Sequence, residues 1–158
     1  MMLKDGRSAC RQGCMTNPTA LKFGYPRTKV AESDHWLVLV RPQQPTFGSL
    51  VLVCKEPVEA FSDVSVAGFA DLKGMISGVE TLLADLVGYA RINYLMLMMV
   101  DRDVHFHVIP RYEGVREHEG RSYPDAGWPG PPALSSAVPL DDDAAAEFAG
   151  ALARRWAS

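Results

Sequence analysis

Five consecutive residues, Asp103-Val104-His105-Phe106-His107, are the part of this chain whose types and spacing fit chemistry. Polar and apolar residues alternate with period two, the pattern of a half-buried β-strand. Asp103, His105 and His107 then share one face, and Val104, Phe106 and Val108 share the other. A carboxylate and two imidazoles held side by side have three uses. As a purely structural cluster they need many hydrogen-bond partners. As metal ligands they need further donors from other strands, and the remaining histidines, His35 and His118, have no spacing that ties them to the pair. As a nucleophile with a helper they need only each other, because a neutral imidazole is a good nucleophile near pH 7.

The elements that must position these residues follow from periodicity. Residues 28–32 and 35–41 read as strands joined by a turn at Ser33-Asp34. Residues 41–45 contain two prolines and read as a loop that cannot sit within a sheet. Residues 50–54 form a buried strand that Pro57 ends. From Ser62 or Asp63 the period turns helical. Val66, Phe69, Leu72, Met75, Ile76, Val79, Leu82, Leu83 and Leu86 make a stripe of the kind that packs on a sheet, and Gly88 is a natural stop. Residues 93–100 are apolar enough to predict a central strand covered on both faces, with its methionines as core filler. Asp101-Arg102 is expected to turn it tightly into the histidine strand as an antiparallel hairpin.

Residues 113–139 carry Gly114, Gly120, Gly127, Gly130 and five prolines, and read as a long loop. A last helix, 141–156, opens on Asp141-Asp142-Asp143, charges of the right sign for its N-terminus. Its Phe148, Leu152 and Trp156 lie on one face, to dock on the domain or on a second subunit. The chain divides into an N-terminal extension (1–14), an ordered domain (15–112), the 113–139 loop and the C-terminal helix (140–158). The fold class is α+β, a mainly antiparallel sheet of about five strands with the long helix on one face and the C-terminal helix at the periphery.

Length and composition bound the function. A chain of 158 residues with 47% apolar and 22% charged residues is an ordinary globular domain. A net charge of −3, with the 16 Lys and Arg scattered, argues against broad nucleic-acid affinity. The longest apolar run, 94–100, falls far short of a membrane span. The start lacks the apolar core of a secretory leader, and Cys10, Cys14 and Cys54 are an odd set, so a reducing cytoplasm is expected. The Cys10-x-x-x-Cys14 spacing reads as free thiols rather than as half a zinc site.

Taken with its flanks, Asp103-Val104-His105-Phe106-His107-Val108-Ile109-Pro110-Arg111 resembles the signature of the histidine triad family, His-x-His-x-His running into Val-Ile-Pro-Arg. Upstream, Pro45-Thr46-Phe47-Gly48-Ser49-Leu50-Val51-Leu52-Val53-Cys54-Lys55 is similar to that family's Pro-x-x-x-Gly-His-x-Leu-Val-x-Pro-Lys segment, with the long helix following in place. The resemblance covers about residues 20–112. It implies a histidine triad fold and a nucleotide hydrolase or nucleotidyl transferase that cleaves a phosphoanhydride or phosphoramidate at the α-phosphate. His105 falls at the position of the nucleophile, which forms a nucleotidyl-imidazole intermediate. His107 falls at that of the residue orienting it and contacting phosphate oxygens. Asp103, Ser49, Asn93, Arg102 and Arg111 are the implied nucleotide-binding positions.

No cofactor and no metal are implied. The partner is a small nucleotide, with neither nucleic acid nor membrane, in a homodimer that Trp128, Phe148 and Trp156 would help to form. Three departures stand out. Asp103 replaces the first histidine, Gly48-Ser49 replaces Gly-His, and Val100-Asp101-Arg102 stands where the family has a Gly-rich loop with Gln and Ser or Thr. The alternatives are a nucleotide-binding or regulatory protein without turnover, and a metal-dependent enzyme using Asp103, His105 and His107. The implied chemistry needs the His105 ring to open into a phosphate-sized cleft beside His107.

Overall fold

A computed structural model describes residues 17–157, so the 1–14 extension and Cys10 and Cys14 lie outside the described residues. In chain order the elements are α1 (Pro18–Lys22), β1 (Lys29–Glu32), β2 (Trp36–Val40), β3 (Gln43–Gln44), β4 (Leu50–Cys54), a 3₁₀ turn (Phe61–Asp63), α2 (Val66–Val87), β5 (Arg91–Leu95), β6 (His105–Arg111), β7 (Val115–His118), β8 (Arg121–Pro124), β9 (Val138–Pro139) and α3 (Asp142–Ala157). The main sheet has five antiparallel strands in the order β1-β2-β4-β6-β5. The α+β expectation holds.

Every residue of β2 and β4 is buried, because both faces of the sheet are covered. Trp36, Val38, Val40, Leu50, Leu52, Cys54 and Val108 pack against α2 and α3 on one face. Leu37, Leu39, Val51 and Val53 face the other way and are covered by Ala20 and Phe23 of the α1 region. Each such side chain, fully buried, contributes about 1.5–3 kcal/mol of transfer free energy. The histidines lie on this second face, beneath the thinner cover.

The long helix begins at Val66, after Ser65 accepts a hydrogen bond from the Gly68 amide at 2.9 Å. It ends where Gly88 takes up the left-handed conformation, φ 61°, and its amide donates to the Ala84 carbonyl. Gly78, which weakens the helix by propensity, lets a second helix approach. A Cβ there would stand 2.4 Å from the Trp156 ring. Thus α3 lies beside α2, over β1 and β2, and not at the periphery. Phe148 and Leu152 are buried in the core and Trp156, half-buried, packs against it, so this face of the helix docks on the domain.

Further expectations are corrected. Residues 93–100 do not make a central strand: β5 is the sheet edge, and the chain leaves it at Met96. The cause is register. Pairing stops at Leu95 opposite His107, two residues before β6 runs out at His105, so the chain leaves the sheet there and residues 96–104 form a broad connection rather than a tight reversal at Asp101-Arg102. Its Leu97, Met99 and Val100 are 45%, 84% and 85% exposed, and of the methionines Met96 packs on the core while Met99 does not. Residues 113–139 are not one loop, since β7 and β8 form a hairpin turned at Glu119-Gly120 and β9 pairs with β3. Residues 41–45 are not purely a loop either: Gln43 and Gln44, between the two prolines, pair with β9 because neither proline has to donate within that two-residue ladder.

Candidate functional site

β6 presents His105 opposite Val53 and His107 opposite Val51, so both imidazoles project from the face that α1 covers. Their centroids are 5.1 Å apart and the rings stand nearly perpendicular, at 79°. His105 is fully buried, with Nδ1 2.7 Å from the Asp103 carbonyl oxygen. A carbonyl only accepts, so Nδ1 carries the proton and Nε2 keeps its lone pair. That Nε2 is buried and has no hydrogen-bond partner among the described residues.

His107 has the opposite arrangement. Arg41 follows β2, and its Nε donates to Nδ1 of His107 at 3.3 Å. A guanidinium only donates, so the neutral His107 ring carries its proton on Nε2. Burial first, and then the charge of Arg41, hold the His107 pKa down to about 4. The site therefore pairs an imidazole whose Nε2 has no partner with an imidazole that has an N–H to donate.

An open cleft of about 710 Å³ reaches this pair. Arg41, Lys22 and His107 line one side, with Asp101 salt-bridged to Lys22 at 2.8 Å. Phe23, Leu97, Met99 and Val100 make an apolar wall. The cleft touches His107 but not His105. The Phe23 ring lies 6.2 Å from the ring of His105 and 5.6 Å from that of His107 and stands over both. The expected open cleft at His105 is thus corrected: its ring is fully buried, with Phe23 packed beside it, and the cleft stops at His107.

The other residues expected from the sequence fall elsewhere. The Asp103 carboxylate accepts from the Thr19 amide at 3.3 Å and from its hydroxyl at 2.8 Å, so it anchors α1, and only its backbone carbonyl serves His105. Asp103, His105 and His107 do not converge, and among the described residues no three His, Cys, Asp or Glu are grouped to hold a metal ion. Ser49 is fully buried and donates to the Thr46 carbonyl at 2.8 Å. Arg111 makes a buried ion pair with Asp125, 2.7 Å, and donates to Asn93 at 2.8 Å, which ties β6 and β5 to the turn after β8. Both Asn93 and Arg111 are thereby engaged in structure. Arg102 is exposed and outside the cleft.

Sequence reasoning missed Arg41, Lys22 and Phe23. The signal for Arg41 was parity: it follows Leu37 and Leu39 at steps of two, and it pairs through its amide with the Ser49 carbonyl, so it stays on the histidine face.

The His107 environment has a consequence for stability. Its folded pKa of about 4 lies below the ordinary 6.5, so between those values the unfolded chain binds more protons than the folded one. Stability should therefore fall as pH drops through this window and level off below about 4, by up to about 3 kcal/mol. Urea unfolding at pH 7 and pH 4.5 should show the loss in the wild type and a clearly smaller one in His107→Gln. Equal losses would contradict the assigned environment.

No family model matches this sequence, and no curated protein does. Solved structures do. A histidine triad protein from Bradyrhizobium japonicum is 24% identical over 80% of this chain and 87% of its own, with a TM-score of 0.63. One from Sinorhizobium meliloti is 21% identical over 87% and 93%, with a TM-score of 0.66. A diadenosine triphosphate hydrolase from Plasmodium falciparum is 12% identical over 82% and 76%, with a TM-score of 0.60. At such identities the likeness is one of architecture, and it agrees with the five-stranded antiparallel sheet, the long helix and the C-terminal helix described above. The chain has the histidine triad fold.

Proposed function

We propose that the protein is a nucleotide hydrolase or nucleotidyl transferase in which Nε2 of His105 attacks the α-phosphorus of a phosphoanhydride or phosphoramidate. The observation that carries this reading is the unpartnered lone pair at Nε2, fixed by the Asp103 carbonyl at the opposite nitrogen. As the N–P bond forms, the P–O or P–N bond to the leaving group breaks, and its electron pair departs with the leaving group. The ring becomes cationic, and its Nδ1–H donates more strongly to the Asp103 carbonyl. Water or another acceptor then attacks phosphorus, the N–P bond breaks, and the lone pair returns to Nε2. His107 donates its Nε2–H to a phosphoryl oxygen. Phe23 must swing off His105 before the first step, and its place at the edge of the cleft makes it the wall against which the nucleoside then rests.

A substrate panel of dinucleoside polyphosphates and adenosine phosphoramidates tests the reading. The wild type should release AMP from at least one class, and His105→Ala from none. Normal AMP binding without any product would instead favour a binding or regulatory protein. Stoichiometric metal with activity lost to chelator would favour the metal-dependent alternative. A cytoplasmic homodimer belongs to the same reading. Among the described residues no helix is long and apolar enough to cross a membrane, and Phe148 and Trp156, offered for the dimer, pack against the chain's own core.

A further inference from the structure

The cleft beside His107 has a charge that its own residues do not balance. Lys22 is neutralised by Asp101, whose two carboxylate oxygens lie 2.8 and 3.0 Å from its amine. Among the described residues no carboxylate lies within ion-pair distance of Arg41, whose protein partners are the Gln43 carbonyl and His107. Arg41 is half-buried, and burial lowers its pKa with no acidic neighbour to raise it again. Holding a guanidinium partly out of water without a counter-charge is unfavourable unless an anion completes the site.

We propose that Arg41 is the positioning residue of this site: it fixes His107 as the neutral Nε2–H tautomer and offers the cleft's uncompensated positive charge to one anionic oxygen of a phosphoryl group. The nucleotidyl-transfer reading supplies only the identity of that anion; the tautomer and the charge rest on the geometry of Arg41.

Four charged or titratable groups face His107. Arg41 comes from the end of β2, Lys22 from α1, Asp101 from the 96–104 connection and His105 from its own strand. Lys22 and Asp101 offset each other, and His105 has its proton committed to the Asp103 carbonyl. Arg41 is thus the group that decides both where the His107 proton sits and which ligand charge the cleft accepts. In this arrangement the histidine supplies a hydrogen bond and the arginine supplies the charge, so anion binding does not fade as pH rises through the imidazole range. With Phe23, Leu97 and Val100 along the apolar wall, the favoured ligand class is a flat apolar body carrying a phosphoryl group. Neither the body alone nor phosphate alone satisfies both halves of the cleft.

Nitrogen NMR of the His107 ring, together with calorimetric binding of AMP and adenosine, tests this on the full chain. In the wild type the ring should be the Nε2–H tautomer and stay neutral below pH 6, and AMP affinity should be constant from pH 6.5 to 8.5. In Arg41→Gln the His107 titration should move up by only part of the way to 6.5, because burial, the larger cause, remains, and AMP binding should weaken about 10- to 100-fold with adenosine binding unchanged. Arg41→Lys keeps the charge without the planar fork, so it should keep the preference for AMP over adenosine while losing the fixed tautomer. A wild-type ring with its proton on Nδ1, or a loss of adenosine binding in Arg41→Gln equal to that of AMP, would overturn the assignment. Equal labelling of His105 by a nucleotide donor in wild type and Arg41→Gln would overturn it too, while leaving nucleotidyl transfer standing. Failure of His105 to be labelled at all, with the NMR and AMP results as expected, would sink nucleotidyl transfer and leave the role of Arg41 intact.

Discussion

His105→Asn should lower kcat/KM for nucleotide cleavage by at least about a thousandfold while leaving the fold in place. The amide nitrogen of asparagine can take over the hydrogen bond that Nδ1 gives the Asp103 carbonyl, but it has no lone pair to attack phosphorus. Alanine would be a poorer probe of mechanism. His105 is fully buried beneath Phe23, and truncation there adds a cavity to the chemical loss. Steady-state kinetics beside a thermal melt separates the two effects. Retention of more than a tenth of wild-type kcat/KM in a folded His105→Asn would mean that the ring at 105 is not the nucleophile.

The largest stability effect should come from Asp125→Ala. The Arg111–Asp125 pair is 2.7 Å long, and its side chains are only 5% and 1% exposed. Asp125 also accepts from the amides of Tyr112 at 3.3 Å and Gly127 at 3.2 Å. Removing the carboxylate leaves a buried guanidinium and two amides without their acceptor, a loss of about 3–5 kcal/mol in unfolding free energy. Because the desolvation penalty is what makes the broken pair so unfavourable, replacing both partners, Arg111→Met with Asp125→Leu, should recover much of it. Urea unfolding of the three proteins checks this. A loss under about 1 kcal/mol in Asp125→Ala would show the pair to be far better solvated than its burial implies.

That pair also explains why part of the site could not be read from sequence. Arg111 closes the segment that resembles the histidine triad signature, and the resemblance made it a nucleotide-binding position. Its true partner, Asp125, sits beyond a strand end in a segment that read as loop, and nothing local links them. The same limit hid the 96–104 connection. Local hydrophobicity in residues 93–100 called for burial, but pairing ends at Leu95 opposite His107 and the chain leaves the sheet there, which no local pattern marks. By contrast, the facing of His105 and His107, the α2 stripe from Leu72 onward and Gly88 as its stop are local signals with local causes and appear as expected. The strand, however, begins only at His105 and is buried on both faces rather than one, and Val66 and Phe69 of the stripe are exposed. Asp103 lies between these cases. Its place beside the histidines was legible, while its carboxylate's bond to Thr19 depends on how α1 packs across the sheet.

Arg41 shows how a residue can escape for want of register alone. Read by itself it ended an apolar strand ahead of Pro42. Only the pairing of β2 with β4 and of β4 with β6 carries it across to His107. Two tautomers of opposite sense then follow from two one-way hydrogen-bonding partners, a carbonyl and a guanidinium.

The most direct measurement is to quench the protein during turnover of a nucleotide labelled at its α-phosphate, digest it, and locate the label by mass. Acid-labile label on the peptide that carries His105, absent from His105→Ala, is the predicted result. Product formation with no label on His105, or label on His107 instead, would contradict the assignment of the buried lone pair as the nucleophile.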